Sequence, residues 1–150
     1  MQPKEGLDRT GPDGDLYPSG YRRYGNLSVR QFYDKYIDTD TGEWIYPPHD
    51  GFDGPRIPST LEPGDIIDRF GFDSGEYAAP DRTAFDARAM PPSSTNFSYG
   101  RYRVLKPLDG VLEGRTAAWF EQPGGGTQYK FPEGRGLKWY LDNGYLEKVP

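Results

Sequence analysis

The residues with the clearest chemical potential lie in a glycine turn at positions 123–129, which reads Pro-Gly-Gly-Gly-Thr-Gln-Tyr. Three successive glycines permit positive φ angles or the close approach of a ligand, although a lone triple glycine is more typical of a flexible hairpin loop. The spacing matches neither a dinucleotide fingerprint nor a phosphate loop. Gln128 follows the turn at the start of a predicted strand, and its neutral amide can both donate and accept hydrogen bonds. We therefore expect chemistry at Gln128.

Two arginines are candidates for binding an anion. Arg69 lies in the segment Asp68-Arg69-Phe70-Gly71 at the end of a predicted strand, and Arg88 lies shortly before a proline. For the segment at 68–71 the commoner outcome is a surface ion pair between Asp68 and Arg69 with Phe70 in the core, and Arg88 on its own is also a weak signal. If the two converge, their charge-assisted hydrogen bonds suit a pyrophosphate. The ring of Phe70 then offers a face to a base or to nicotinamide.

Few residues in the chain are suited to acid–base or metal chemistry. Tyr77 lies near Arg69 in sequence, although such a ring is more often part of the core. Glu76 and Glu121 are the nearest candidates for a general base, but the chain shows no obvious carboxylate pair. His49 is the only histidine and there is no cysteine, so we predict no metal site and no histidine-based triad. We interpret His49 as a turn residue.

Composition predicts one loop-rich domain built from aromatic residues. The 150 residues include 20 Gly and 15 Pro, and 15% of them are aromatic. The net charge is −5 and no basic stripe is visible, so we expect no nucleic-acid partner. The sequence contains no apolar stretch long enough to cross a membrane and no signal-peptide pattern. We therefore expect no membrane insertion by this domain.

The positional patterns predict an α+β fold. Residues 1–40 should form an N-terminal arm and a helix from Ser28 to about Ile37, and residues 39–58 are rich in turn signals. We expect the arm to be ordered where Leu16, Tyr17 and Tyr21 pack. Short strands and one further helix follow. The strands are predicted at 65–70, 77–79, 99–107, 111–120, 127–131 and 145–149, and the helix at 137–143. Small, mostly antiparallel β-sheets should result.

Taken in order, these segments resemble the tuberculosis necrotizing toxin domain family. The resemblance covers roughly Gly42 to Val149. It is carried by Trp44-x-Tyr46-Pro47-Pro48, Gly51-Phe52, Pro63-Gly64, Asp68-Arg69-Phe70-Gly71, Gly75-x-Tyr77, Arg88-Ala89-Met90-Pro91, Tyr102-x-Val104, Lys106-Pro107-Leu108, Gly124-Gly125-Gly126-Thr127-Gln128-Tyr129 and Leu141-x-Asn143-Gly144-Tyr145-Leu146. Within a single domain overall, residues 41–150 would be the family-like core.

The resemblance implies hydrolysis of NAD+, and commonly NADP+, to nicotinamide and the ADP-ribose product. NAD+ or NADP+ would be the substrate, with no further cofactor. It also implies a core of two small β-sheets. Members of the family are often the carboxyl-terminal part of larger secreted toxins, and some have relatives on fungal surfaces. We therefore expect delivery into a target cell, action in its cytosol, and a cognate immunity protein.

The resemblance also assigns roles to individual residues. Gln128, Arg69 and Tyr77 match the family's catalytic positions, while Phe70 and Arg88 complete the expected substrate-binding set. Gln128 would hydrogen-bond a ribose hydroxyl or the attacking water, and the two arginines would hold the pyrophosphate. Position 76 is usually basic in the family but is Glu in this chain.

Two alternatives remain open at the level of sequence. An ADP-ribosyltransferase-like toxin would cleave the same bond and transfer the sugar to a protein instead of to water. A non-catalytic binding module, such as a degenerate toxin, would keep the aromatic and basic surface without turnover.

Overall fold

One antiparallel sheet forms the centre of residues 14–150, the part of the chain that the computed structural model describes. Its strands are β1 (Phe52–Leu61), β2 (Ile66–Phe70), β3 (Tyr77–Pro80), β4 (Tyr99–Val104), β5 (Leu108–Thr116), β6 (Thr127–Lys130) and β7 (Leu146–Val149). Their order across the sheet is β1-β5-β6-β3-β2-β4-β7. The expected mostly antiparallel architecture is confirmed.

The prediction of two small sheets is wrong, because β3 joins the two halves. On one side Asp68 of β2 lies opposite Ala79, and on the other side Tyr77 of β3 lies opposite Lys130 of β6. Both pairings are antiparallel. A short strand that pairs on both edges makes a single sheet of seven strands. As a result, residues of β2, β3 and β6 lie close together.

Strand β1 occupies part of the segment that turn signals dominate. It contains Pro55 and Pro58, and six of its residues in succession are exposed. Proline cannot donate to a sheet ladder, so it is tolerated at a sheet edge. β1 is an edge strand that pairs only with β5. Its edge position explains how a strand forms where the sequence predicted turns.

Two α-helices flank the sheet within residues 14–150. Helix α1 spans Val29–Tyr36 and begins at a capping box, in which Ser28 and Gln31 bond to each other's backbone N–H groups. Helix α2 spans Leu137–Asp142. The rest of residues 14–40 forms turns and one short 3-10 turn, so a helical N-terminal region overstates the helix content there. Positions 1–13 of the predicted arm lie outside the described residues.

Three aromatic-rich clusters form the core. The largest packs α2 against the sheet, with Phe131, Leu137 and Tyr140 among its members. In the second, the N-terminal residues Leu16, Tyr17 and Tyr21 cover Phe70 and Phe85, which confirms the expected packing of the arm at these three positions. The third cluster joins α1 to Phe120 through Phe32 and Tyr36. The N-terminal segment therefore supports Phe70 and Phe120 from behind.

The helices of residues 14–150 are too short and too polar to span a bilayer.

Candidate active site

A cavity of about 700 Å³ opens where β2, β3 and β6 meet the loop that precedes β1. This volume is in the range of small-molecule and cofactor sites. All five residues predicted to form the site line the cavity, namely Arg69, Phe70, Tyr77, Arg88 and Gln128. The structure therefore brings together residues that are up to about sixty positions apart in sequence.

The side-chain amide of Gln128 has a defined orientation. Its Nε2 donates to the backbone carbonyl of Asp50 at 2.9 Å. A carbonyl can only accept, so the NH2 end of the amide must face Asp50. The carbonyl oxygen Oε1 is then available to accept a hydrogen bond from a ligand. A Cβ at Gly51 would lie 3.5 Å from Oε1, an ordinary contact distance, so the φ of +84° and not the space beside the amide favours glycine there.

The turn before β1, which accepts the hydrogen bond from the Gln128 amide, has an unusual backbone. His49, Asp50 and Gly51 have φ angles of 57°, 56° and 84°. Residues other than glycine rarely adopt such angles, and runs of them occur where the surroundings hold them in place. His49 lies in this turn, as predicted, and it also lines the cavity.

Arg88 is almost fully buried but keeps one free nitrogen. Its Nε and Nη2 donate to the carbonyl of Thr83 at 3.0 and 2.8 Å, and its Cζ lies 4.9 Å from the ring centre of Phe70. Nη2 also lies 2.7 Å from the carboxylate of Asp68. Among residues 14–150, no group accepts from Nη1. This nitrogen is therefore available to an anionic ligand.

Asp68 is completely buried beneath Arg88. Its Oδ2 accepts from the backbone N–H of Arg82 at 2.7 Å and from the hydroxyl of Tyr99 at 2.6 Å. Its Oδ1 faces Arg88 as an ion pair, without hydrogen-bond geometry. Burial raises the pKa of Asp68, and the charge of Arg88 counteracts that effect.

The guanidinium of Arg69 is bonded to the protein itself. Its Nε donates to the carbonyl of Phe72 at 2.7 Å and its Nη1 donates to the carbonyl of Tyr77 at 2.9 Å. Desolvation by burial lowers the pKa of Arg69 from its usual value. In this structure Arg69 therefore fixes the backbone of Tyr77, while its contact with pyrophosphate stays a prediction.

Gly75 leaves the space that this guanidinium needs. A Cβ at Gly75 would lie 1.8 Å from Nη2 of Arg69, so a side chain there must displace the guanidinium. We expect Gly75→Ala to lower the free energy of unfolding by about 1–3 kcal/mol, the usual cost of overpacking a site. Activity should fall as well, because the displaced guanidinium of Arg69 holds the backbone of Tyr77. Denaturant unfolding and a turnover assay would check this. The exposed Gly20, where a Cβ would meet nothing within 4 Å, offers a matched Gly→Ala control.

Tyr77 contributes a protonated phenol to the cavity. Burial raises its pKa, and the nearby acids Asp50 and Glu76 raise it further. The hydroxyl therefore stays protonated at neutral pH and can donate a hydrogen bond. Lys130 lies over the Tyr77 ring, with Nζ 5.8 Å from its centre.

The glycine turn is tightly packed. Gly124 has a φ of +64°, and a Cβ there would lie 2.6 Å from the carbonyl oxygen of Ala117. The N–H of Gly126 donates to the carbonyl of Ala87 at 3.2 Å. The turn therefore connects the segment that carries Arg88 with the strand that carries Gln128. This close packing explains the glycines better than a flexible loop does.

The two candidate general bases do not line the cavity. Glu76 accepts from the backbone N–H of Gly134 at 2.9 Å. Glu121 binds the ammonium of Lys35 at 2.6 Å and the hydroxyl of Tyr36 at 2.7 Å. The acids that line the cavity are Asp50 and Asp68, and each is paired with an arginine. Within residues 14–150, no cluster of three or more His, Cys, Asp and Glu residues could hold a metal ion.

Sequence reasoning missed one wall of the cavity. The missed residues include Tyr46, Pro47, Asp50, Gly51, Phe97, Thr116 and Phe120. The motifs around Tyr46-Pro47-Pro48 and Gly51-Phe52 were the available signal. No role was assigned to them, because only the pairing of β1 with β5 brings this loop to Gln128.

Residues 60–149, more than half of the chain, match the protein family described as Tuberculosis necrotizing toxin. The chain is 38% identical over 146 residues to the conidial surface nicotinamide adenine dinucleotide glycohydrolase nadA of Aspergillus fumigatus, covering 86% of this chain and 60% of that protein. It therefore spans about three fifths of that relative's length.

A solved structure shares the fold. The tuberculosis necrotizing toxin, determined in complex with its immunity factor IFT, superposes with a TM-score of 0.78 at 20% identity. The likeness covers 95% of this chain and 84% of that one.

Proposed function

The chain belongs to the tuberculosis necrotizing toxin family, and from that membership we propose that it is an NAD+ glycohydrolase that also accepts NADP+. The 38% identical relative is named a nicotinamide adenine dinucleotide glycohydrolase. The observation that supports this function best is the pairing, in one cavity, of a free amide oxygen on Gln128 with a free guanidinium nitrogen on Arg88.

The reaction needs little acid catalysis. Nicotinamide is a cationic leaving group, so the N-glycosidic bond breaks with its electron pair passing to the ring nitrogen. The ribose carbon gains oxocarbenium character and water adds to it, which yields ADP-ribose, nicotinamide and a proton. The barrier is lowered mainly by holding the dinucleotide and the water in a reactive geometry.

We assign roles to the cavity residues on this basis. The Oε1 of Gln128 accepts from a ribose hydroxyl or from the attacking water. Nη1 of Arg88 donates to the pyrophosphate, and the half-buried charge of Arg69 adds positive potential while it holds Tyr77 in place. The half-buried ring of Tyr77 borders a base of the dinucleotide, whereas Phe70 is buried and its ring supports Arg88 from the core. No carboxylate acts as nucleophile in this scheme.

Incubation of the pure protein with NAD+ or NADP+ alone tests the reaction class. We expect nicotinamide and the ADP-ribose product in equal amounts, without any protein acceptor. A transferase would release nicotinamide in proportion to an added protein acceptor and would attach ADP-ribose to that acceptor. A binding module would leave the dinucleotide intact while binding it. Chromatography of the products distinguishes the three outcomes.

We also propose that the domain acts in the cytosol of a target cell, as the carboxyl-terminal part of a larger secreted toxin. A cognate immunity protein then protects the producing cell. In support, the solved toxin of the same fold is bound to its immunity factor. Cytosolic expression of this chain alone should deplete dinucleotide and stop growth. Growth at parental rates with a full dinucleotide pool, while the chain accumulates folded, would contradict this proposal.

A further inference from the structure

Arg56 contacts both strained residues of the turn beside Gln128. Its Nη1 donates to the carbonyl of His49 at 3.1 Å and to the carboxylate of Asp50 at 2.8 Å. These two residues are the ones other than glycine that hold a positive φ in this turn. Arg56 lies on β1, so the contacts tie the turn to the edge of the sheet.

The opposite end of the turn is anchored to β5 and its extension. The carbonyl of Gly51 accepts from the N–H of Ala117 at 2.8 Å. The carbonyl of Asp50, between the two anchors, accepts from Nε2 of Gln128. The direction of this carbonyl, and hence the orientation of the amide, depends on both anchors. Arg56 contributes only side-chain atoms to its anchor, so this anchor can be removed without cutting the sheet.

We propose that Arg56 is a positioning residue for catalysis, which keeps the Asp50 carbonyl directed at Gln128. This inference rests on the proposed glycohydrolase function. Arg56 does not line the cavity, and it lies outside the residues 60–149 that match the family. It acts through the turn and not through the substrate.

The contact is suited to positioning and contributes little to stability. The side chains of Arg56 and Asp50 are 36% and 48% exposed. Exposed ion pairs of this kind add little to the free energy of unfolding. Loss of Arg56 therefore leaves the fold intact but allows the turn to relax toward ordinary backbone angles. The amide of Gln128 then loses its fixed partner.

Kinetics of Arg56→Ala and Arg56→Lys test the proposal. Because small misplacements of catalytic groups are costly, we expect Arg56→Ala to lower kcat on the order of tenfold with little change in KM. Arg56→Lys should retain part of the activity, since an ammonium also donates to the turn. Asp50→Ala breaks the same contact, so the double variant should lose little more than Arg56→Ala alone. Arg103→Ala is the matched control, because Arg103 pairs with Glu147 at similar exposure on β4, away from the cavity.

A spectroscopic arm separates this proposal from the proposed function. The side-chain amide signal of Gln128 in a 1H–15N NMR spectrum is assigned by its loss in Gln128→Ala. We expect Arg56→Ala to shift this signal, and Arg103→Ala to leave it in place. If Arg56→Ala keeps the parental kcat, or lowers kcat without moving the signal, the positioning role is wrong. If the parental protein hydrolyses no dinucleotide, the proposed function is wrong. The coupling between Arg56 and Gln128 is tested separately, and it is wrong if the Gln128 amide signal does not move in Arg56→Ala.

Discussion

Gln128→Ala is expected to lower kcat for NAD+ by about a hundredfold or more, the cost of removing one preorganised hydrogen-bonding group from an active site. The side chain lies at the cavity surface and contacts the protein through one hydrogen bond to Asp50. Its loss should therefore change the melting temperature only slightly. Steady-state assays of nicotinamide release, with thermal unfolding of both proteins, would measure the two effects separately.

Gln128→Glu distinguishes an oriented amide from a catalytic carboxylate. A carboxylate cannot donate to the Asp50 carbonyl 2.9 Å away and is repelled by it. We therefore expect this variant to be about as slow as Gln128→Ala. If Gln128→Glu matches or exceeds the parental kcat, position 128 acts through charge, and the proposed role of the amide is wrong.

Arg88→Met is expected to have the second largest effect, on both folding and binding. Removal of the Arg88 guanidinium leaves the carboxylate of Asp68 completely buried without its counter-charge, and breaking such a buried pair costs about 3–5 kcal/mol. It also removes the free Nη1 that we assign to the pyrophosphate, so KM should rise steeply. Denaturant unfolding and dinucleotide titration would measure these losses.

The stability loss should depend on pH. Burial already raises the pKa of Asp68, and loss of Arg88 raises it further. The deficit is the loss of unfolding free energy in Arg88→Met relative to the parental protein. It is smallest below about pH 4, the ordinary pKa of Asp, where Asp68 is protonated in both folded proteins. It grows as pH rises from the folded-state pKa of Asp68 in the parental protein to the higher folded-state pKa in the variant. A deficit of equal size at acid and neutral pH would show that Asp68 is not its cause.

The double variant Asp68→Asn with Arg88→Met separates folding from binding. An asparagine oxygen can still accept from Arg82 and from Tyr99, and it carries no charge to bury. We expect the double variant to recover much of the lost stability while its affinity for NAD+ stays low. Recovery of affinity together with stability would mean that Arg88 serves the fold and does not bind the substrate.

Much of the site could be predicted from sequence because its residues lie in locally recognisable patterns. Arg69 is the penultimate residue of a mostly buried strand, and Gln128 is the second residue of a strand that follows three glycines. Turn signals and strand periodicity therefore placed these residues at strand ends. The family resemblance added which of them belong to one site.

The remainder depended on contacts that are distant in sequence. The single sheet follows from the pairing of Tyr77 with Lys130, which no local pattern indicates. β1 was missed because its two prolines are typical of turns and are tolerated only at an edge. Glu121 was a plausible base by sequence, but Lys35 and Tyr36 hold it on another surface. Such partners become visible only when the chain is folded.

A time course of NAD+ followed by 1H NMR tests the hydrolysis and the role of Gln128 together, with the parental protein and Gln128→Ala compared at equal concentration and without any acceptor. We expect the parental protein to convert NAD+ to equal amounts of nicotinamide and ADP-ribose, while the variant leaves nearly all of the NAD+ intact. Intact NAD+ in the parental sample, or equal conversion by both proteins, would contradict this expectation.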